Sequence, residues 1–522
     1  MLRWALLSAA NKQGIVEVAQ ELVEVGFNLL ATGKTAQMLQ EAKLPVTEVS
    51  TFTGFPEILD GRVKTLHPKI HAGILARGEQ DAQILNELAI DLIELVIVNL
   101  YPFKETISKP GCTLTQAIEE IDIGGPTLLR AAAKNAARVT VMCDPKDYNR
   151  VVAEYKKQNH TTELLRRELA AKVFAHTAKY DATISAYLAQ QLLDTEEIPP
   201  TELFPEILSP TLQKIQPLRY GENPQQKAAF YAESGNYFGL AAAKLLQGKE
   251  LSFNNLADAS AALECVKQFE KENACIIVKH GNPCGVALAE NNLFAYERAY
   301  AADATSAFGG IIAFNKVIDE QTAAKILQNQ FVEVIVAPEI SAKAQEIFKA
   351  KPALRIVTIP QWDKLSQKEF ELRSIIGGIL VQERDEVVIT DQQLECVTIK
   401  QPTAQELSDL KFAWKVVKIV KSNAIVCAKN NQTIGIGAGQ TSRVNSVQIA
   451  LEKANAAGFA LQGSVVASDA FFPFADSIAL LAQAGVTAII QPGGSVRDKD
   501  VIVATNEQGI SMLFTSMRHF RH

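Results

Sequence analysis

Lys279 and His280 stand side by side in IIVKHGNPCG (276–285), at the end of a short apolar, β-favouring run. A strand sends successive side chains to opposite faces, but at its end neighbours can both reach a cleft. An imidazole exchanges protons near neutral pH. An ammonium beside it can steady a developing oxyanion or a departing nitrogen. The Gly–Asn–Pro–Cys–Gly run that follows reads as a turn. Taken alone, the pair fits equally a lysine reaching solvent and a histidine bonded to a carbonyl. Pro283–Cys284–Gly285 is half of a zinc-deaminase signature, but the second cysteine and the upstream His-x-Glu are missing, so no zinc is expected.

The first half of the chain carries a second group of chemically capable residues. GRVKTLHPKIHAGILARG (61–78) holds Arg62, Lys64, His67, Lys69, His71 and Arg77 in what reads as a loop. Cations this dense repel one another unless an anion sits among them or water solvates them. His67 and His71 lack a third metal ligand nearby. NLYPF (99–103) closes a long apolar run and puts Tyr101 where α/β sheets collect ligands, as a proton relay or as a cap on the core. EEIDIGGPTLLRAAAKN (119–135) places Asp122 before Gly124 and Gly125, where a helix begins, with Lys134 farther along it. Each of these also suits a plain structural role, Asp122 as a helix cap and Lys134 as a surface residue.

ATGKTAQ (31–37) is not a P-loop, because position 28 would have to be glycine and is Asn28. It remains a helix start with Thr32 and Thr35, fit to receive a phosphate or simply to cap a helix. Arg219 and Tyr220 precede a Gly–Glu–Asn–Pro turn, QPGGSVRD (491–498) suits an anion nest, and the terminal MRHFRH either frays or folds back into a site.

These residues need a frame. The chain has 522 residues, 48% of them hydrophobic, and a formal net charge of −6. That length exceeds one core, and the acidic balance without a long basic run lacks the footprint of a nucleic-acid binder. Seven scattered cysteines form no CxxC pair, so reduced thiols are expected. MLRWALLSAA has too short an apolar run for a signal peptide and reads as a first strand; no run is long enough to span a membrane. RWALLS, FNLLA, LIELVIVNL (92–100) and RVTVMC read as strands alternating with helices, which predicts an α/β domain with a mostly parallel sheet. Prolines crowd residues 190–220, so a linker or crossing segment is placed at 196–216, between domains at 1–195 and 217–522. A faint echo relates DATSAFGGIIAF (303–314) and VEVIVAP to SDAFFPF (468–474) and VTAIIQPGG, suggesting two related subdomains in the second half.

Read jointly and in order, GRVKTLHPKIHAGILAR, NLYPF, IDIGGPTLLRAAAKN, RYGENPQQ, KHGNPCG, SDAFFPF, QPGGSVRD and RHFRH resemble the bifunctional purine biosynthesis family, which joins an IMP cyclohydrolase to an AICAR transformylase. The resemblance implies a methylglyoxal-synthase-like first domain and a transformylase of two cytidine-deaminase-like α/β subdomains. It implies that Lys64, Thr65, Tyr101, Asp122 and Lys134 serve ring closure of formyl-AICAR. Ser8, Lys12, Thr32, Gly33, Thr35, Arg62 and Gly124 would hold the nucleotide. In the second domain His280 would act as general base and Lys279 as its electrostatic partner in formyl transfer from 10-formyltetrahydrofolate to AICAR. Arg219, Tyr220, Phe308, Gly309, Glu333, Asn423, Arg443, Phe471, Arg518 and Phe520 match positions around substrate. The resemblance further implies a cytoplasmic homodimer that binds small molecules rather than membrane or nucleic acid, with potassium, held near Asp469, as a candidate cation and no zinc.

Two loops depart from the family pattern. SAANKQG stands where S-V-S-D-K-T-G is usual, and Lys34 stands where a glycine is common. If that position requires positive φ, Lys34 is strained by roughly 1–2 kcal/mol; otherwise it adds a cation to a phosphate site. The alternatives are a deaminase-related or lyase enzyme on the same folds, and a non-catalytic nucleotide-binding protein.

Overall fold

The computed structural model describes residues 2–193, 204–233, 237–366 and 370–522, and the chain divides into two compact units, Met1–Thr211 and Leu212–His522. Of the expected linker, residues 196–203 lie outside the described residues, and residues from Leu212 onward already form a strand.

In the first unit β1 (Trp4–Ala9), β2 (Asn28–Ala31), β3 (Val46–Glu48), β4 (Ile93–Asn99) and β5 (Thr140–Met142) form one parallel sheet in the order β3-β2-β1-β4-β5. β1 and β4 lie inside this sheet and are almost wholly buried, which is why their sequences are continuous apolar runs rather than alternating ones. Helix Ile15–Glu24 turns Ile15, Val18, Ala19 and Leu22 inward, and the chain leaves it through Gly26 at φ 91°. The strand order reverses between β1 and β4, so a crevice opens at their carboxyl ends. The basic stretch at 61–78 is not all loop. Pro68–Leu75 is a helix, started by proline in its first turn and by His67 Nδ1 accepting the Lys69 N–H at 3.2 Å. Ile70 and Ile74, four apart and buried, are the helical pattern that the surrounding cations obscure.

The second unit opens with the hairpin β6 (Leu212–Leu218) and β7 (Ala228–Glu233). A mixed sheet of twelve strands follows among the described residues. It contains β8 (Lys244–Gln247), β9 (Asn273–Lys279), β10 (Asn282–Ala289), β11 (Gly310–Phe314), β12 (Val332–Ala337) and β13 (Arg355–Thr358). After a separate hairpin, β14 (Phe370–Ile375) and β15 (Gly378–Glu383), the sheet resumes with β16 (Glu395–Cys396), β17 (Ile425–Lys429), β18 (Gln432–Gly437), β19 (Val465–Ser468), β20 (Ala488–Gln491) and β21 (Ser511–Phe514). The order β16-β21-β20-β19-β17-β18-β10-β9-β11-β12-β13-β8 reads equivalently from either end, with β18 against β10 at the centre.

This is a duplicated unit. Helices Phe253–Val266 and Ala404–Val417 both begin with a capping box, Ser252 with Asn255 and Thr403 with Glu406. Each precedes a two-stranded hairpin. Gly285 and Gly435 sit at matching points: a Cβ at either would stand 1.9 Å from the Ala299 carbonyl or 2.0 Å from that of Ala450. The echo seen in the sequence is half correct. β12 and β20 are counterparts, but 303–309 lies before β11 whereas 469–474 lies after β19, so those segments are not equivalent.

The KHGNPCG stretch also differs from the reading of a strand followed by a long turn. Only His280 and Gly281 form the turn, both at positive φ (51° and 73°), and Asn282 pairs back with Lys279. That is the two-residue hairpin whose twist suits a strand pair, and NPCG already belongs to the return strand.

Candidate active sites

At the carboxyl ends of β1 and β2, Ser8 Oγ and Thr32 Oγ1 lie 3.0 Å apart. Lys12 Nζ donates to Thr35 Oγ1 at 2.6 Å, and the Ala9 N–H donates to the same hydroxyl at 3.2 Å. Thr32 and Thr35 are buried. Helix Gly33–Glu41 starts here with Thr32 as its N-cap, and the Thr32 hydroxyl is turned to Ser8 rather than to the helix's own N–H groups. Burial, then the charges of Lys34 and Lys64, push the Lys12 ammonium below its ordinary pKa. Positive charge is therefore concentrated where a phosphate would neutralise it. The positive φ of this turn falls on Gly33 (35°) and not on Lys34, so the strain raised for Lys34 does not occur; its ammonium adds to the cationic cluster instead.

Beside this cluster stands Asp122. Its Oδ1 accepts the Gly125 N–H at 2.8 Å, and its own N–H donates to Tyr180 Oη at 2.8 Å. Burial raises the Asp122 pKa, against the opposing pull of the Gly125 and Tyr101 amides and of Lys64. A Cβ on Gly124 would meet Thr65 Oγ1 at 2.9 Å. Lys64, Thr65, Tyr101, Asp122 and Gly124 thus share one neighbourhood. Tyr101 is half exposed, and Lys64 lies 3.7 Å from Glu57. Arg62 is turned to Glu119 at 2.7 Å on the surface. Lys134 ends the helix that Gly124 begins, about 15 Å along its axis at the usual rise. It lines a different cavity with His71 and Arg130, and a single chain does not bring it to Asp122. Asn99 was not foreseen: its side chain accepts the Asn11 N–H at 2.7 Å and donates to the Asn11 carbonyl at 3.0 Å, tying the first loop to the end of β4.

In the second unit Lys279 Nζ donates to the carbonyls of Phe308 (2.9 Å) and Gly309 (3.1 Å). His280 is exposed on the adjoining turn. The turn is held from beneath by Asp258, which accepts the Gly281 N–H at 2.7 Å. Phe308 is 63% exposed and tilts against Phe331. Arg219 lies over the Tyr220 ring at 4.7 Å, and their loop is tied to the helix that bears Asp258 by Asn254 donating to the Glu222 carbonyl at 3.2 Å. Glu333 is engaged by Arg355 at 2.9 Å.

A second cluster adjoins the turn, because the Lys421 N–H donates to Asn282 Oδ1 at 2.9 Å. There Arg443, buried, donates to Asn423 Oδ1 (2.7 Å), Ser468 Oγ (2.7 Å) and Asp469 Oδ1 (2.5 Å). Asp469 is wholly buried and also accepts from Ser422 Oγ and the Ala424 N–H. Three protein donors thus meet its carboxylate. Among the described residues no group of three or more His, Cys, Asp or Glu is placed to hold a metal ion. Phe471 is partly exposed beside this network.

The tail folds back. His519 is buried, with Nδ1 2.5 Å from Asp385 and its ring against Trp414; Arg521 reaches Glu264 at 2.6 Å. This leaves Arg518 stacked over Phe520 at 4.3 Å on the outside. Gly494 and Ser495 do form an anion-receiving turn, but its occupant is the chain's own Asp498 (2.7 and 3.1 Å). Asp258 and Lys421 escaped the sequence reading because nothing local marks a helical aspartate or a loop lysine as neighbours of a distant hairpin.

A parallel α/β sheet with a cationic crevice, joined in one chain to a duplicated mixed-sheet unit bearing a Lys–His turn, defines a two-domain, two-site enzyme. Residues 14–127 match the MGS-like domain, and residues 132–453, more than half of the chain, match the AICARFT/IMPCHase bienzyme. The chain belongs to the AICARFT/IMPCHase bienzyme family. It is a bifunctional purine-biosynthesis enzyme, a phosphoribosylaminoimidazolecarboxamide formyltransferase and an IMP cyclohydrolase, and it carries the last two steps to IMP. The family uses 10-formyltetrahydrofolate as cosubstrate. A solved structure titled "Crystal structure of ForH" is 34% identical, the match covering 35% of this chain and 95% of that one at a TM-score of 0.33. No helix among the described residues is long and apolar enough to cross a membrane.

Proposed function

We propose that His280 and Lys279 carry formyl transfer, and that Lys64, Tyr101 and Asp122 carry ring closure. The 5-amino nitrogen of AICAR attacks the formyl carbon of 10-formyltetrahydrofolate. As the new C–N bond forms, His280 takes the amine proton. Lys279 steadies the oxyanion, and the folate nitrogen leaves with a proton when the intermediate collapses. The observation that carries this reading is the fixing of Lys279 by the Phe308 and Gly309 carbonyls, next to an exposed His280 on the same hairpin. In ring closure the carboxamide nitrogen attacks the formyl carbon and water is lost. Asp122, with its raised proton affinity, accepts the amide proton; Tyr101 relays it; Lys64 steadies the oxygen. The Ser8, Lys12, Thr32 and Thr35 cluster holds the phosphate. Lys134, whose position in the chain is remote from Asp122, contributes through a second copy or acts outside the chemical step.

A homodimer is supported by β14–β15, whose Ile376, Ile379 and Leu380 are fully or largely exposed on a two-stranded hairpin that cannot bury them itself. Seven unpaired thiols support a reducing, cytoplasmic setting. The test is His280→Ala. Formyl transfer should fall 10²- to 10⁴-fold, while cyclisation of supplied formyl-AICAR stays near wild type. Loss of both activities in a folded variant would refute the division of labour.

A further inference from the structure

The duplication gives the His280 turn a counterpart. β17 and β18 are joined by Asn430 and Asn431, again both at positive φ (54° and 55°). Asp409 accepts their N–H groups at 2.9 and 2.6 Å, as Asp258 accepts that of Gly281. Beside this second turn lies a cavity of about 600 Å³. Glu272 and Ala289 line it, so it lies at the opposite end of the β9–β10 hairpin from His280, roughly 20 Å of strand away.

Phe269, Phe412 and Trp414 line the cavity, and Phe269 and Phe412 are tilted 5.7 Å apart. Arg298 and Lys415 line it too, and both are held by neutral oxygens. Arg298 donates to the carbonyls of Leu288 (2.7 Å) and Asn430 and to Gln432 Oε1; Lys415 donates to the Gln268 carbonyl at 2.9 Å and lies over the Phe269 ring. The neighbouring lysines differ: Lys411 meets Asp391 at 2.6 Å and Lys418 meets Asp385 at 3.3 Å. At the point on helix Phe253–Val266 that matches Lys415 stands Glu264, and it receives Arg521 of the tail. One half therefore presents a carboxylate filled by a cation of the chain itself. The other presents cations beside an open space whose exposed apolar wall is Val387 and Val388.

We propose that this cavity is a second ligand site that takes an aryl carboxylate. The ring packs on the exposed apolar wall of Val387 and Val388, and the carboxylate meets Lys415 and Arg298. Asn430 stands at this turn in the place of His280, and the cavity's own imidazole, His519, is buried and engaged by Asp385 at 2.5 Å. Calorimetric titration of the full chain with 2-naphthoate tests it. One molecule should bind per chain. Lys415→Glu, which installs the residue type of the matching helix, should weaken binding at least tenfold, and Lys415→Arg should restore it, with formyl transfer within twofold of wild type in both. The absence of saturable binding to the wild type overturns the proposal, as does an unchanged dissociation constant in Lys415→Glu, which would locate the ligand elsewhere.

Discussion

Asp122 is a buried carboxylate caught between two demands. Two amides and Lys64 favour its charge, yet burial prevails and its pKa rises. A raised carboxyl pKa in the fold means that stability is fully present below the unfolded value near 3.8 and is lost as pH rises through the folded value. Asp122→Asn keeps an oxygen for the Gly125 N–H and removes the buried charge. Its melting temperature should therefore exceed wild type at pH 7, with the gap closing as pH falls below about 3.8, while ring closure drops 10²-fold or more. Calorimetry across pH checks the first part; a lower melting point at pH 7 would show that the charge is net stabilising. Arg443 and Asp469 are the contrasting case, a buried pair in which each charge is met. Asp469→Ala would strand the guanidinium and should cost about 3–5 kcal/mol, measured by urea denaturation of the full chain.

The helices that follow the two central hairpins press directly on β10 and β18. Glycine is required at 285 and 435 because a helix carbonyl lies where a side chain would begin. The obstacle is backbone, which cannot swing aside as a side chain does. Gly285→Ala should destabilise the second unit by about 3 kcal/mol or more, since the overlap exceeds an ordinary overpacked core. Gly435→Ala should match it if the halves are energetically equivalent. Formyl transfer should fail with the fold in both variants, while cyclohydrolase activity persists. The hairpin turn depends on the same geometry from the other side: His280 tolerates φ 51° only because the β9–β10 register leaves two residues to reverse the chain. The placement of the His280 imidazole and the positive φ of its turn therefore arise from one constraint.

For the whole molecule the informative surface is apolar. Ile376 is entirely exposed, and Ile379 and Leu380 are more than half exposed. On the homodimer proposed above, replacing Ile376 and Ile379 with Asp should shift the protein from dimer to monomer in sedimentation equilibrium, with formyl transfer falling at least tenfold if the second copy completes that site. A dimer undisturbed by both changes would remove the hairpin from the interface. Duplication matters at the same scale. It turns one supersecondary unit into a continuous sheet and supplies a second turn, with Asn430 at the position that His280 holds in the first.

The alternation of buried strands and amphipathic helices and the α/β class were legible from residue types, because periodicity and buried apolar runs are local properties. The helix Pro68–Leu75 was obscured by cations that outnumber its two buried isoleucines, and the long turn assigned to KHGNPCG was in fact a strand, since only pairing with β9 distinguishes the two. Proximity was decided by folding alone. It set Asp258 under the turn, Lys421 beside it and Lys134 a helix length from Asp122, and it filled the nest at 494–495 with Asp498. Sequence patterns encode which face of an element is buried; which distant groups then meet depends on sheet order and strand register, and those are fixed only when all the elements pack together.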